Sequence, residues 1–131
     1  MADLVLTAPV LEKTRREIDQ ALIKAGAHMV LLVDEAGNIV TSCGKDSSVI
    51  DTTSLAALAA ANFGATCQIA QLIGEDDFSL LFHKGKKDSV HFTRIEPDFI
   101  LITVFGEQVS LGLIRVRVGE LARTLEKILG F

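Results

Sequence analysis

The chain has 131 residues, which fits one domain and is short for two. Hydrophobic residues make up 49% and charged residues 23%, which excludes a disordered or low-complexity chain. Thirteen basic against seventeen acidic residues give a net charge of −4, which argues against a nucleic-acid footprint.

The mean hydropathy of +0.38 is high for a small soluble monomer. A domain of this size buries only about two-thirds of its chain surface, so surplus apolar residues must lie outside and mark an interface. An oligomer or a permanent partner is therefore expected. Uninterrupted apolar runs such as 29–33 and 55–61 fall far short of the roughly 20 residues that span a bilayer, so no membrane span is expected. The opening Met1-Ala2-Asp3-Leu4 lacks the basic-then-apolar order of a secretory signal, which makes the cytoplasm the expected location. Cys43 and Cys67 are read as buried, reduced thiols.

In chain order, residues 9–25 predict a helix. Leu11, Ile18, Leu22 and Ala25 recur at helical spacing, Pro9 suits the first turn and Gly26 the stop. Residues 29–33 form a short, wholly apolar strand, and a turn centred on Gly37 leads to a second strand at 39–43. Such a strand is buried on both faces, so helices should cover both sides of its sheet. After a polar loop, Asp51, Thr52 and Thr53 offer caps for a long helix that runs to Gly74. Strands at 78–83, 89–95 and 99–105 then predict an antiparallel meander. Residues 110–129 mix two periods, but Leu111, Ile114, Val118, Leu121, Leu125 and Ile128 step at 3, 4, 3, 4, 3, and that length decides for a helix. The order is α-β-β-α-β-β-β-α in a single domain spanning 1–131, with its core at about 10–129.

The second helix is the most informative segment. From Thr52 to Gly74 it has no Lys, Arg, Asp or Glu, whereas an ordinary surface helix has a charged outer face. Leu55, Leu58, Asn62, Ile69 and Leu72 are assigned to the sheet. The opposite stripe is Ala57, Ala60, Ala61, Gly64, Gln68 and Gln71, small and uncharged. Small residues admit a second backbone, and the lack of charge removes a desolvation cost on docking. Gly64 lowers helix stability, a cost that makes more sense at a contact than in solvent.

No catalytic constellation, metal site or cofactor site emerges. His28, His83 and His91 lack metal-ligand spacing and are read as surface or rim residues. Gly37 and Gly44-Lys45 fail the phosphate-loop pattern in spacing and in the residue that follows, Asp46. Ser47, Ser48 and Ser110 have no readable His-Asp partners. Glu75, Asp76 and Asp77 form an acidic loop, and Lys84, Lys86 and Lys87 a basic hairpin tip.

The element order and the charge-poor second helix resemble the roadblock family of dynein light chains, in particular its bacterial MglB-type branch. The resemblance rests on residues 31–37 (Leu-Leu-Val-Asp-Glu-Ala-Gly), 55–66, 72–75 (Leu-Ile-Gly-Glu), 82–85 (Phe-His-Lys-Gly) and 110–112 (Ser-Leu-Gly). It implies an α/β (α+β) roadblock/profilin-like sandwich, a five-stranded antiparallel sheet with one helix on one face and two on the other. It implies a homodimer, or a heterodimer with another roadblock protein. The two sheets would join edge to edge through Phe78, Leu80, Leu81, Phe82 and His83. It further implies that paired second helices receive a small Ras-like GTPase, on a platform of Ala57, Ala61, Gly64, Ala65 and Gln68, with the acidic loop beside it. The helix has no arginine, so stimulation of GTP hydrolysis would proceed without an arginine finger, by preferential binding of a hydrolysis-competent GTP state. The alternatives are a scaffold dimer that links a GTPase or motor complex to a partner, and a small-molecule sensor of profilin- or PAS-like architecture. Relatives with a tail beyond the last helix are associated with nucleotide exchange. This chain ends at Gly130-Phe131, and no exchange role is expected.

Overall fold

The computed structural model describes residues 6–44, 50–78 and 81–130. Helix α1 (Ala8–Ile18) runs into a π-helical turn (Asp19–Ile23) and is followed by strands β1 (Met29–Asp34) and β2 (Ile39–Gly44). Helix α2 (Thr52–Leu72), strands β3 (Leu81–Lys84), β4 (Asp88–Ile95) and β5 (Phe99–Gly106), and helix α3 (Leu111–Ile128) complete the chain. This is the predicted order.

The strands form one antiparallel sheet in the order β2-β1-β5-β4-β3. The β3-β4-β5 meander follows chain order, and β1 pairs with β5 at the centre. Alternating side chains divide the core into two layers. Val30, Leu32, Leu101 and Phe105 face α1 and α3, where they meet Ile18, Leu22, Ile114, Val118, Leu121 and Leu125. Met29, Leu31, Val33, Ile100, Ile102 and Val104 face α2. Two helices therefore cover one face of the sheet and one covers the other.

Local chemistry fixes the helix ends and the first turn. Thr7, Asp51 and Ser110 are the caps; their side chains accept the N–H of Val10, Ser54 and Leu113 respectively. The Ser54 hydroxyl and N–H hold the Asp51 carboxyl below its usual pKa. In the β1–β2 turn, the Asp34 carboxylate accepts the N–H groups of Ala36 (3.0 Å) and Asn38 (2.9 Å). Gly37 turns there with φ of +90°, and a Cβ on it would sit 3.0 Å from the Ala57 Cα. A side chain at 37 would push the turn off α2.

Three expectations need correction. The first helix does not stay α-helical to residue 25. It widens into the π-helical turn, where Lys24 N–H reaches the Asp19 carbonyl at 3.0 Å, and Ile18 and Leu22 are both buried. His91 is not a rim residue; it is 5% exposed beneath α3, and burial, then the Arg115 charge, push its pKa down to about 4. Cys43 is buried, but Cys67 is only partly so; both thiols are free. Among the described residues, α2 is the one helix long and apolar enough to cross a membrane by length and composition, and here it lies along the sheet.

Candidate functional site

Helix α2 lies on the sheet through small residues. Ala56, Ala59, Ala60, Phe63 and Ala70 are its buried positions, each at most 7% exposed. Alanines let the helix sit close to the sheet, and the Phe63 ring fills the remaining gap. The stripe assigned from sequence to the sheet is thus turned outward. Leu58 is 71%, Ile69 53% and Leu72 86% exposed, and Ile73 just beyond the helix is 66% exposed. Leu55 and Asn62 lie part-buried at the flank. The reason is that a helix without charge on any side has no polar face to fix its rotation by contrast. Ala60 belongs to the buried face, which corrects its place on the outward stripe. Ala57, Ala61, Gly64, Ala65, Gln68 and Gln71 are exposed or part-exposed, and no atom lies within 4 Å of a Cβ built on Gly64. Sequence reasoning missed Leu58, Ile69, Leu72 and Ile73 as surface residues. Phe63 was the available signal: anchoring the bulkiest apolar residue to the sheet gives the observed rotation.

Strand β3 ends the sheet, pairing only with β4 among the described residues, so its outer backbone groups are unpaired there. Leu81 packs on the α2 side of the sheet, while Phe82 stacks on Phe105 on the other side, with ring centroids 6.0 Å apart. The exposed His83 ties this edge to α2. Its Nε2 lies 3.3 Å from the Asn62 amide, and its ring meets Phe92 edge-on at 5.4 Å. Phe78 lies ahead of the described strand, and the Asp77 carboxylate takes its N–H at 2.8 Å. Leu80 lies outside the described residues.

Beside the C-terminal half of α2 stands a charged cluster that sequence reasoning did not find. Arg94 reaches over from β4, its guanidinium 4.9 Å above the Phe63 ring. Its Nε donates to Asp77 at 3.4 Å, its Nη2 lies 3.1 Å from the Cys67 sulfur, and its Nη1 pairs with Glu35 at 3.6 Å. Burial and Asp77 raise the Cys67 pKa against the opposing pull of Arg94, which keeps the group a thiol. Period-2 alternation puts residue 94 on the face of Phe92, but nothing in the sequence aligns it with residues 35, 67 and 77.

The Roadblock/LC7 domain pattern matches residues 16–105. The chain belongs to the Roadblock/LC7 domain family. Myxococcus xanthus MglB is 40% identical, superposes with a TM-score of 0.82, and the match covers 88% of this chain and 94% of that one. The gliding protein MglB from Thermus thermophilus is 25% identical with a TM-score of 0.87, over 98% of this chain and 97% of that one. A structure described as MglB with tetrameric arrangement is 26% identical with a TM-score of 0.88, over 98% and 96% respectively.

On this roadblock chain the outward α2 face and the β3 edge adjoin, joined by the Asn62–His83 contact. The histidines do not converge: His83 is exposed at the edge, His91 is buried beneath α3, and His28 lies 3.5 Å from Asp88. The basic hairpin tip borders a separate open groove of about 790 Å³ on the α3 side, lined by Phe82, Lys84, Lys86, Phe105, Val109 and Leu111 among others. Among the described residues, no three His, Cys, Asp or Glu side chains gather as metal ligands.

Proposed function

We propose that this roadblock chain regulates a small Ras-like GTPase, working as a dimer joined through β3 and α2 and stimulating GTP hydrolysis in its partner. The observation that carries the reading is the outward face of α2, which is free of charge along 21 residues yet exposes Leu58, Ile69 and Leu72. Such a face gains by being covered and loses no charge solvation in the process. The 40% identity to Myxococcus xanthus MglB supports the same reading. In it, Ala57, Ala61, Gly64, Ala65, Gln68 and Gln71 form the receiving platform, with Leu58, Ile69 and Leu72 added to it. Leu81 and His83 belong to the dimer edge.

The chain's own residues limit the mechanism. No side chain of α2 is charged, so the platform has no arginine finger to place on a transferring phosphoryl. Acceleration then comes from binding the hydrolysis-competent arrangement of the GTPase better than its other states. The GTP form must accordingly bind more tightly than the GDP form.

The test is single-turnover hydrolysis by a GTP-loaded Ras-like GTPase of the source organism, with and without a two-fold excess of the chain. Acceleration that saturates at two chains per GTPase is expected. Nucleotide-dependent binding without acceleration would replace this reading with that of a scaffold dimer. No binding in either nucleotide state would overturn both.

A further inference from the structure

Strand β4 presents Val90, Phe92 and Arg94 on the α2 side of the sheet, and Arg94 is placed where three separate segments meet. The β1–β2 turn supplies Glu35, α2 supplies Phe63 and Cys67, and the loop after α2 supplies Asp77. A guanidinium serves all of them at once because its donors lie in one rigid plane whose face can rest on an aromatic ring. The Arg94 side chain is 28% exposed, so its ion pairs are less screened than those of a fully solvated side chain. Asp77 is itself engaged twice more, accepting the Phe78 N–H at 2.8 Å and facing the Cys67 sulfur at 3.7 Å. The Asp77 loop follows the exposed end of α2, where Ile69, Leu72 and Ile73 stand open, while the turn that holds Glu35 lies against the first half of the helix, with Gly37 beside Ala57.

We propose that Arg94 is a positioning residue for partner docking: it clamps the acidic loop after α2 and the β1–β2 turn into one preset wall beside the platform. The proposal rests on the GTPase reading for its partner, although the clamp itself does not. A wall fixed in advance spares the partner the entropy of ordering a loop, so its effect falls on affinity. Arg94 does not act as an arginine finger, because reaching a nucleotide would mean leaving Asp77, Glu35, Cys67 and the Phe63 ring together.

Two variants test this, Arg94→Met, which keeps a long chain over Phe63 and removes the charge, and Arg94→Lys. Amide hydrogen exchange on the chain alone comes first. In Arg94→Met, exchange should quicken about tenfold in both 34–37 and 75–78 while 59–63 in α2 stays protected. Unchanged exchange in either segment would overturn the clamp, whether or not any GTPase responds. Single-turnover hydrolysis by the GTP-loaded Ras-like GTPase follows. Arg94→Met should raise the half-saturating concentration about tenfold and keep the maximal rate within about twofold, with Arg94→Lys in between. A collapse of the maximal rate in Arg94→Lys at unchanged half-saturation would mean that Arg94 acts on the nucleotide, and would overturn the proposal. If the wild-type chain accelerates no GTPase, the functional reading fails and the exchange result still decides the clamp.

Discussion

Helices α1 and α3 carry five and six charged residues, whereas α2 carries none. On the two-helix face the buried residues are large, Ile18, Leu22, Ile114, Val118, Leu121 and Leu125, and most charges point to water. On the α2 face the order is inverted: alanines go inward, and leucine and isoleucine point out. The first arrangement is complete within one chain. The second places its larger apolar side chains where only another molecule can cover them, and this difference supports the proposal that the α2 face is the interface.

The comparison is broken most sharply by equivalent leucines. Leu125→Ala, at a position with no exposure, should cost about 2–5 kcal/mol in urea denaturation. Leu72→Ala, on a side chain 86% exposed, should change the intrinsic stability by less than about 0.5 kcal/mol. Its effect should instead appear as a change in how the midpoint depends on protein concentration. An equal loss in both, independent of concentration, would remove the distinction between the faces.

The closed face also predicts a pH dependence. His91 has an ordinary pKa of 6.5 when unfolded and about 4 when buried beneath α3. Between those values the unfolded state binds more protons, so stability falls as pH drops through 6.5 and levels off below about 4. The loss between pH 7 and pH 5.5 should be about 1 kcal/mol, and His91→Gln should flatten that limb of the curve.

The smallest effect compares two glycines. A Cβ added at Gly119 in α3 or at Gly64 in α2 meets no atom within 4 Å. Either change to alanine should raise thermal stability by about 0.5–1 kcal/mol, through helix propensity alone. Only Gly64→Ala should also weaken partner docking.

The two faces differed equally in how legible they were. The 3, 4, 3, 4, 3 spacing of α3 predicted its buried stripe, because Arg115, Arg117, Arg123 and Lys127 mark the side that meets water. The β1–β2 hairpin, the β3–β4–β5 meander and the buried β1 were legible from apolar runs bounded by turns, whereas the β1–β5 pairing that joins them was not. In α2 no charge marked either side, so its existence and length were readable and its rotation was not. Six of the residues proposed for the platform, Ala57, Ala61, Gly64, Ala65, Gln68 and Gln71, nonetheless lie outward. Arg94 was not legible at all. Its partners stand 17, 27 and 59 positions away along the chain, and only the folded sheet brings them together.

The most direct test of the account uses the same substitution on both faces. Gly64→Arg and Gly119→Arg each place a long cation in open space on a helix, so neither should unfold the chain. Binding of the GTP-loaded Ras-like GTPase should be abolished in Gly64→Arg and unchanged in Gly119→Arg. Equal binding by Gly64→Arg and the wild-type chain would contradict the central claim that the outward face of α2 receives the partner.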